Sequence, residues 1–198
     1  MIVIVDYGMG NLGSVEKALA YLGYPAIISQ DPDQVAKASQ LILPGVGAME
    51  YAFQQLGARN LDQAIRIFLQ TGRPFLGICL GMQLMFDRSE EGNSIGLGIL
   101  PGVVRRFPAL PGLKVPHMGW NRLQDSRLKI LPEGGSFYFV HSYYVDPQDP
   151  ALTAARSSHG IQFAAAVQHE QILLTQFHPE KSGDAGLTLL RQWIELAG

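Results

Sequence analysis

Short, uninterrupted apolar runs alternate with segments of helical periodicity along the first half of this chain, and this pattern restricts the folds it can adopt. The runs that predict strands in the first half are Met1–Asp6, Tyr24–Ser29, Leu41–Leu43 and Pro74–Ile78. Strands that are apolar on both faces are typical of a parallel sheet covered by helices on either side. The chain therefore predicts an α/β fold with a mostly parallel central sheet flanked by helices.

The segments between these strands carry helix signals. Apolar residues recur three and four positions apart, as on one face of an amphipathic helix. Asp31 suits an N-cap, Pro32 suits the first helical position, and Gly23 follows the end of the first helical pattern. The segments that predict helices are Asn11–Leu22, Asp31–Ala38, Leu61–Leu69 and Ala185–Leu196.

The second half of the chain changes character between Leu97 and Val145, where strand-like pieces are separated by proline and glycine. Their tight spacing indicates antiparallel hairpins added to the central sheet. The pieces that predict strands are Val103–Phe107, Phe137–Val140, Ile161–Val167 and Ile172–Phe177.

Size and composition limit the kinds of protein that this chain can be. It has 198 residues, 47% of them hydrophobic and 16% charged, and its formal net charge is -2. These values suit one well-packed domain, residues 1–198, and no basic stripe for binding nucleic acid is visible.

The sequence shows no apolar run of about twenty residues and no secretory signal, so we expect a cytoplasmic protein that contacts no membrane. A single cysteine excludes an intrachain disulfide and a cysteine-rich zinc site. We expect neither a metal nor a cofactor.

The single cysteine, Cys79, lies in a setting that favours nucleophilic chemistry. A buried strand leads into Gly77-Ile78-Cys79-Leu80-Gly81, and a helical pattern follows. A Gly-x-Cys-x-Gly turn between strand and helix is similar to a nucleophile elbow, in which the glycines relieve crowding around a strained residue. The helix N-terminus favours the thiolate, and the Leu80 N–H points to where an oxyanion forms. The alternative is an inert core cysteine between two packing glycines.

A base and its orienting acceptor stand near the other end of the chain, in Phe177-His178-Pro179-Glu180. On extended backbone, two-residue spacing puts His178 and Glu180 on the same side. Glu180 then accepts from one ring nitrogen of His178, which leaves the other nitrogen to face Cys79. The alternative is a surface turn that carries an incidental histidine.

These motifs together resemble the class I (triad) glutamine amidotransferases. The match joins Gly77–Gln83 with His178–Glu180, and Pro44–Met49 resembles the family's oxyanion loop. The resemblance implies that L-glutamine is hydrolysed through a cysteine thioester. The residues implied are the triad Cys79, His178 and Glu180, oxyanion donors at Val46, Gly47 and Leu80, and glutamine-binding residues Gln83, His141, Ser142 and Tyr143.

Three further segments resemble one branch of that family, the glutaminase subunits of imidazole glycerol phosphate synthase, an enzyme of histidine biosynthesis. They are Asp6–Asn11, Lys114–Asn121 and Phe137–Tyr143. The resemblance implies a heterodimer with a (β/α)8 cyclase subunit that receives the ammonia, and weak glutaminase activity without that partner. The interface residues that we expect are Asn11, Trp120, Tyr138 and Lys181.

Several alternatives compete with this interpretation. Gly8–Gly13 reads Gly-x-Gly-x-x-Gly after a strand, and Asp31 or Asp33 follows at the distance of a ribose-binding carboxylate, as in dinucleotide-binding proteins. That hypothesis leaves Cys79 and His178 unexplained. The others are the glutaminase subunit of a different amidotransferase, a related cysteine hydrolase, and a non-catalytic module of the same fold.

Overall fold

A computed structural model describes residues 1–196. It contains twelve strands in that range, and seven of them form one sheet. In chain order the strands are β1 (Ile2–Val5), β2 (Ala26–Ser29), β3 (Gln40–Gly45), β4 (Phe75–Cys79), β5 (Phe86–Ser89), β6 (Leu100–Arg106), β7 (His117–Arg122), β8 (Ser136–His141), β9 (Tyr143–Pro147), β10 (Thr153–His159), β11 (Ile161–His169) and β12 (Ile172–Thr175).

The central sheet has the order β10-β11-β12-β4-β3-β1-β2. The five strands from β12 to β2 are parallel, and β11 and β10 add an antiparallel edge. Two smaller sheets, β5-β6-β9 and β7-β8, stand apart from it. In open parallel sheets, ligands bind beyond the carboxyl ends of the strands. That edge is where β3, β4 and β12 end.

Helices cover both faces of the sheet, because the fully buried strands send alternate residues into two apolar cores. The helices are α1 (Leu12–Tyr21), α2 (Pro32–Lys37), α3 (Met49–Ala58), α4 (Leu61–Leu69), α5 (Leu80–Gln83) and α6 (Gly183–Glu195). Val3 and Leu43 pack into the core that α2 to α4 cover, whereas Ile4 and Ile42 pack into the core that α1 and α6 cover.

The expected fold class is confirmed, and several details differ from the sequence predictions. The strands predicted at Val103–Phe107 and Phe137–Val140 lie in the smaller sheets, so placing them in the central sheet was wrong. The strand predicted at Ile172–Phe177 ends at Thr175 and pairs in parallel with β4, although it is antiparallel to β11. Helix α3 was not predicted, although it buries Met49, Ala52 and Leu56 at helical spacing.

The predicted domain extent, residues 1–198, includes two residues outside the described part and stays a prediction. Among residues 1–196, no helix is both long and apolar enough to cross a bilayer.

Candidate active site

The elbow predicted at Cys79 is present. Cys79 is the last residue of β4 and precedes the first residue of α5, with φ 56° and ψ -107°. A positive φ is costly for a residue with a side chain and is found where the surrounding structure enforces it, often at functional sites. The backbone at Cys79 therefore has the strained conformation of a nucleophile elbow.

The two glycines of the motif allow this turn because side chains would not fit. A Cβ on Gly81 would overlap the carbonyl oxygen of Leu43, and one on Gly77 would lie 2.7 Å from Leu174 Cδ2 and 3.0 Å from the Gly81 carbonyl oxygen. Strand β3 therefore packs directly against the start of α5. This close approach fixes the position of the cysteine at the sheet edge.

Replacing Gly81 with alanine is expected to lower the free energy of unfolding by about 3 kcal/mol or more, since backbone atoms of β3 must move to admit the methyl group. For a domain of this size that corresponds to a melting temperature lower by about 6–12 °C. Thermal unfolding followed by circular dichroism measures the change.

Gly13→Ala is the matched control. A Cβ on Gly13, in α1, would meet nothing within 4 Å, so we expect a change within about 1 kcal/mol, toward greater stability. Equal melting temperatures for the Gly81 and Gly13 variants would show that β3 does not constrain the elbow.

The structure brings His178 and Glu180 together in a different way from the one predicted. Residues Pro179–Lys181 form a turn of 3₁₀ helix, so the extended backbone expected between the two was wrong. The turn still places His178 Nδ1 2.8 Å from Glu180 Oε1, with both side chains buried. The His178 backbone is held on both sides, since its N–H donates to the Tyr138 carbonyl and its carbonyl accepts from Ser182 Oγ.

The free nitrogen of His178, Nε2, is buried and makes no hydrogen bond within normal distance to any described residue. Burial lowers the pKa of His178, but its interactions with the nearby Cys79 sulfur and the Glu180 carboxylate outweigh that effect and raise the pKa to about 10. The raised pKa favours the protonated form of the His178 ring.

A cleft of about 310 Å³ opens over Cys79. The residues of the predicted oxyanion loop reach it because Gly45, at the end of β3, pairs with Cys79 at the end of β4. His178 is not among the lining residues. The lining residues are Val46, Gly47, Cys79, Leu80, Gln83, Glu91, Pro116, Val140, His141, Ser142 and Tyr143.

All four residues expected to bind glutamine line this cleft. Gln83 is buried, and its Nε2 donates to the Tyr143 carbonyl and to Gln176 Oε1, each at 3.0 Å. Its amide oxygen accepts from no described residue, so that oxygen is the part of Gln83 that is free for a substrate donor. The cleft is mostly apolar with a few polar groups, as small-molecule sites commonly are.

A pair of buried histidines supports the cleft wall. His141 Nδ1 lies 2.7 Å from the Tyr143 carbonyl, and His141 Nε2 lies 3.0 Å from His117 Nδ1. Burial, reinforced by neighbouring histidines, lowers the pKa of His141 to about 3 and that of His117 to about 4. Both rings are therefore neutral near pH 7.

These two histidines are expected to make the fold sensitive to acid. Below pH 6.5 the unfolded chain protonates them, whereas the folded chain does so only near pH 4 and below. The free energy of unfolding should fall in that window, by at most about 1.4 kcal/mol per pH unit for each proton. Thermal unfolding at pH values from 7 to 4.5 measures the slope, which His169→Asn, a change at an exposed histidine, should leave intact. A flat profile would contradict the neutral pair.

None of the four residues expected at the interface lines the cleft. Trp120 is 59% exposed, and its ring meets that of Tyr138 edge to face across the β7–β8 hairpin. Lys181 is exposed one residue beyond Glu180, and Asn11 lies in the loop between β1 and α1. The hairpin also exposes Met118, which the sequence analysis did not single out.

Three residues at the site were missed from the sequence. Gln176 Nε2 lies 3.6 Å from Cys79 Sγ, the Val140 carbonyl lies 3.9 Å from the same sulfur, and Glu91 lines the cleft. Gln176 gave a usable signal, because it is a polar residue in an apolar strand two positions before His178. Val140 contacts the sulfur through its backbone carbonyl, so its residue type carried no signal in the sequence. In residues 1–196, no group of three or more histidine, cysteine and acidic side chains is arranged to hold a metal.

Comparison with known proteins agrees with this geometry. Residues 3–195 match the model of the family described as "Glutamine amidotransferase class-I". The chain belongs to the class I glutamine amidotransferases, and the resemblance drawn from its motifs is confirmed.

Two relatives narrow the comparison within that family, and both are named "Imidazole glycerol phosphate synthase subunit HisH". The relative from Syntrophotalea carbinolica is 49% identical over 99% of this chain and 100% of its own length. The relative from Trichormus variabilis is 47% identical over 98% of this chain and 95% of its own. The chain is thus similar to HisH subunits along nearly its whole length.

A solved structure described as "Crystal structure of glutamine amidotransferase" has the same fold, with a TM-score of 0.78 and full coverage of both chains at 22% identity. The family match also includes the glycine motif Gly8–Gly13, which had suggested a dinucleotide-binding protein. In the structure the Gly8 N–H donates to Asp6 Oδ1 at 2.8 Å, so that amide already has a partner within the chain.

Proposed function

We propose that this chain is the glutaminase subunit of an imidazole glycerol phosphate synthase. It would hydrolyse L-glutamine to glutamate and pass ammonia to a cyclase subunit. The observation that carries the proposal is the strained Cys79 in the lining of a cleft, together with the buried His178–Glu180 pair, whose histidine interacts with Cys79. The names of relatives similar over nearly the full chain support the choice of this synthase.

The first chemical step would be attack of the Cys79 sulfur on the side-chain amide carbon of glutamine. His178 takes the thiol proton, and Glu180 stabilises the resulting imidazolium through its 2.8 Å contact with Nδ1. The carbonyl oxygen becomes an oxyanion at the tetrahedral centre. The C–N bond then breaks, His178 returns its proton to the leaving nitrogen, and ammonia departs from a thioester on Cys79.

The second step would be hydrolysis of the thioester. His178 removes a proton from water, which attacks the acyl carbon, and the C–S bond breaks to release glutamate and restore Cys79. Both tetrahedral centres carry their negative charge at the cleft rim. Backbone N–H groups of Val46, Gly47 and Leu80 are the proposed donors, because the β3–β4 pairing brings that loop beside Cys79.

The substrate would lie along the wall made by residues 141–143. The free amide oxygen of Gln83 and the backbone and hydroxyl groups of Ser142 and Tyr143 can contact the charged end of glutamine. His141 contributes indirectly, since its hydrogen bond to the Tyr143 carbonyl fixes the wall.

Ammonia is useful to a synthase only while it stays unprotonated, and most free ammonia at neutral pH is ammonium. A partner docked over the cleft would protect it. We propose a heterodimer with a (β/α)8 cyclase subunit that makes imidazole glycerol phosphate and aminoimidazole carboxamide ribotide. The proposed contact residues are Asn11, Trp120, Tyr138 and Lys181. The exposure of Trp120 and the contact between the Tyr138 and His178 backbones support a surface there that adjoins the triad.

The test measures glutamate released from L-glutamine by the purified chain, alone and with a cyclase subunit and its phosphoribosyl nucleotide substrate. We expect slow release alone, faster release in the complex, and nucleotide turnover that depends on glutamine.

Two results would decide against the proposal. If neither the cyclase subunit nor the nucleotide changes the glutaminase activity, the proposed partner is wrong. If a chain shown to be folded releases no glutamate under any condition, the proposed glutaminase activity is wrong.

A further inference from the structure

The amide side chain of Gln176 touches the sulfur of Cys79 and takes no part in the steps proposed above. It follows the last residue of β12, is fully buried, and has its backbone N–H bonded to the Ala165 carbonyl at 2.8 Å. Its Nε2 lies 3.6 Å from Cys79 Sγ, within the range of a hydrogen bond to sulfur. What this amide does depends on which of its two ends faces the sulfur.

The neighbouring groups decide that orientation, starting from a backbone carbonyl that can only accept. The Tyr143 carbonyl lies 3.0 Å from the Gln83 amide, so Gln83 presents its NH₂ group there. The same NH₂ lies 3.0 Å from the Gln176 amide, so the Gln176 amide oxygen must be the acceptor of this hydrogen bond. The Gln176 NH₂ is therefore directed at Cys79. The reverse orientation would set two NH₂ groups against each other and an oxygen against the sulfur.

The histidine pair extends this ordered chain away from the nucleophile. His141 donates through Nδ1 to the Tyr143 carbonyl, so in its neutral form His141 Nε2 accepts from His117 Nδ1. His117 Nε2 then accepts from Asn121 Nδ2 at 3.1 Å. Each of these hydrogen bonds fixes the donor and acceptor of the next one. The Tyr143 carbonyl accepts from both Gln83 Nε2 and His141 Nδ1. The amides near the sulfur are thus held by a network that has one consistent set of proton positions.

We propose that Gln176 is a further catalytic residue, whose side-chain N–H donates to the Cys79 sulfur and stabilises the thiolate that attacks the substrate. Its role differs from that of His178. Gln176 is a neutral donor that keeps its proton, whereas His178 accepts and returns a proton during the reaction. A hydrogen bond to a charged group contributes more than one between neutral groups, above all in a buried site. Gln83 positions this donor as well as contacting the substrate.

The test compares Gln176→Met with wild type, since methionine has similar length and no donor. Alkylation of the single thiol with iodoacetamide, followed against pH, reads the thiolate directly. We expect the midpoint of the profile to rise by about one unit or more, and kcat for glutamine to fall about 10- to 100-fold at neutral pH. Gln168→Met is the matched control, because among residues 1–196 the Gln168 Nε2 bonds only the Glu170 carbonyl, and its loss should change neither quantity.

Gln176→Glu separates the donor from simple packing. It keeps the length of the side chain and an oxygen for Gln83, but it turns a second oxygen toward the sulfur, so the midpoint should rise further than in Gln176→Met. Gln176→Glu also provides the test if the Gln176→Met variant does not fold. A folded variant of either kind with the wild-type alkylation profile would overturn the inference, as would a change confined to KM.

The catalytic consequence rests on the proposed function, whereas the alkylation profile does not. If the wild-type chain released no glutamate, the proposed function would fail while the shift in thiol reactivity still decided the role of Gln176.

Discussion

Cys79→Ser is expected to lower glutaminase turnover by about 10⁴-fold or more. A serine hydroxyl fits the elbow but is a far weaker nucleophile than a thiolate, and it has no comparable acidity to share with His178. Loss of a nucleophile in such triads leaves only the contribution of binding and oxyanion stabilisation. Glutamate release measured by a coupled assay at saturating glutamine gives the change in kcat.

The control for this variant is its folding. Serine is close in size to cysteine, so the melting temperature should stay within a few degrees of the wild-type value. Because Cys79 is the only cysteine, loss of thiol alkylation confirms the substitution independently. A folded Cys79→Ser chain that retained a tenth of the wild-type turnover would show that another group attacks the substrate.

Glu180→Gln is expected to lower kcat by about 10²–10⁴-fold while leaving the fold in place. The substitution removes the buried negative charge 2.8 Å from His178 Nδ1, and the new amide can present an NH₂ group that stabilises the wrong tautomer. Burial then acts on His178 with less opposition, so the pKa of His178 should fall from its raised value. The imidazolium that accompanies the thiolate would be less stable in every step.

Steady-state kinetics against pH measures this effect, with Glu170→Gln as the control. Glu170 is exposed in the turn between β11 and β12, so the same chemical change there should leave kcat within about twofold. Similar rates for the two variants would mean that Glu180 does not support His178.

The parallel part of the fold could be predicted because its strands are buried on both faces. Continuous apolar runs such as Leu41–Leu43 leave one solution, a sheet with helices on either side. The smaller sheets could not be placed in the same way. Strand β8 alternates buried and half-exposed residues, a pattern that fits the edge of any sheet and does not specify which one.

The nucleophile and its base could be predicted because each has a local sequence pattern. Gly77 and Gly81 identify the elbow, and the spacing of His178 and Glu180 indicates a pair, even though a 3₁₀ turn rather than extended backbone joins them. The polar network behind Cys79 has no such pattern. Gln176 meets Gln83 across ninety-three positions, and only the folded sheet brings the two amides together.

Cys79 is proposed as the nucleophile for glutamine, activated by His178 and Glu180. Incubation with a diazo-ketone analogue of glutamine, with and without the cyclase subunit, followed by peptide mapping, identifies the residue that attacks the substrate. We expect one covalent adduct, on Cys79, which excess glutamine slows and which forms much more slowly in Glu180→Gln. An adduct on any other residue, or labelling of Cys79 that neither glutamine nor the Glu180 substitution affects, would contradict the claim.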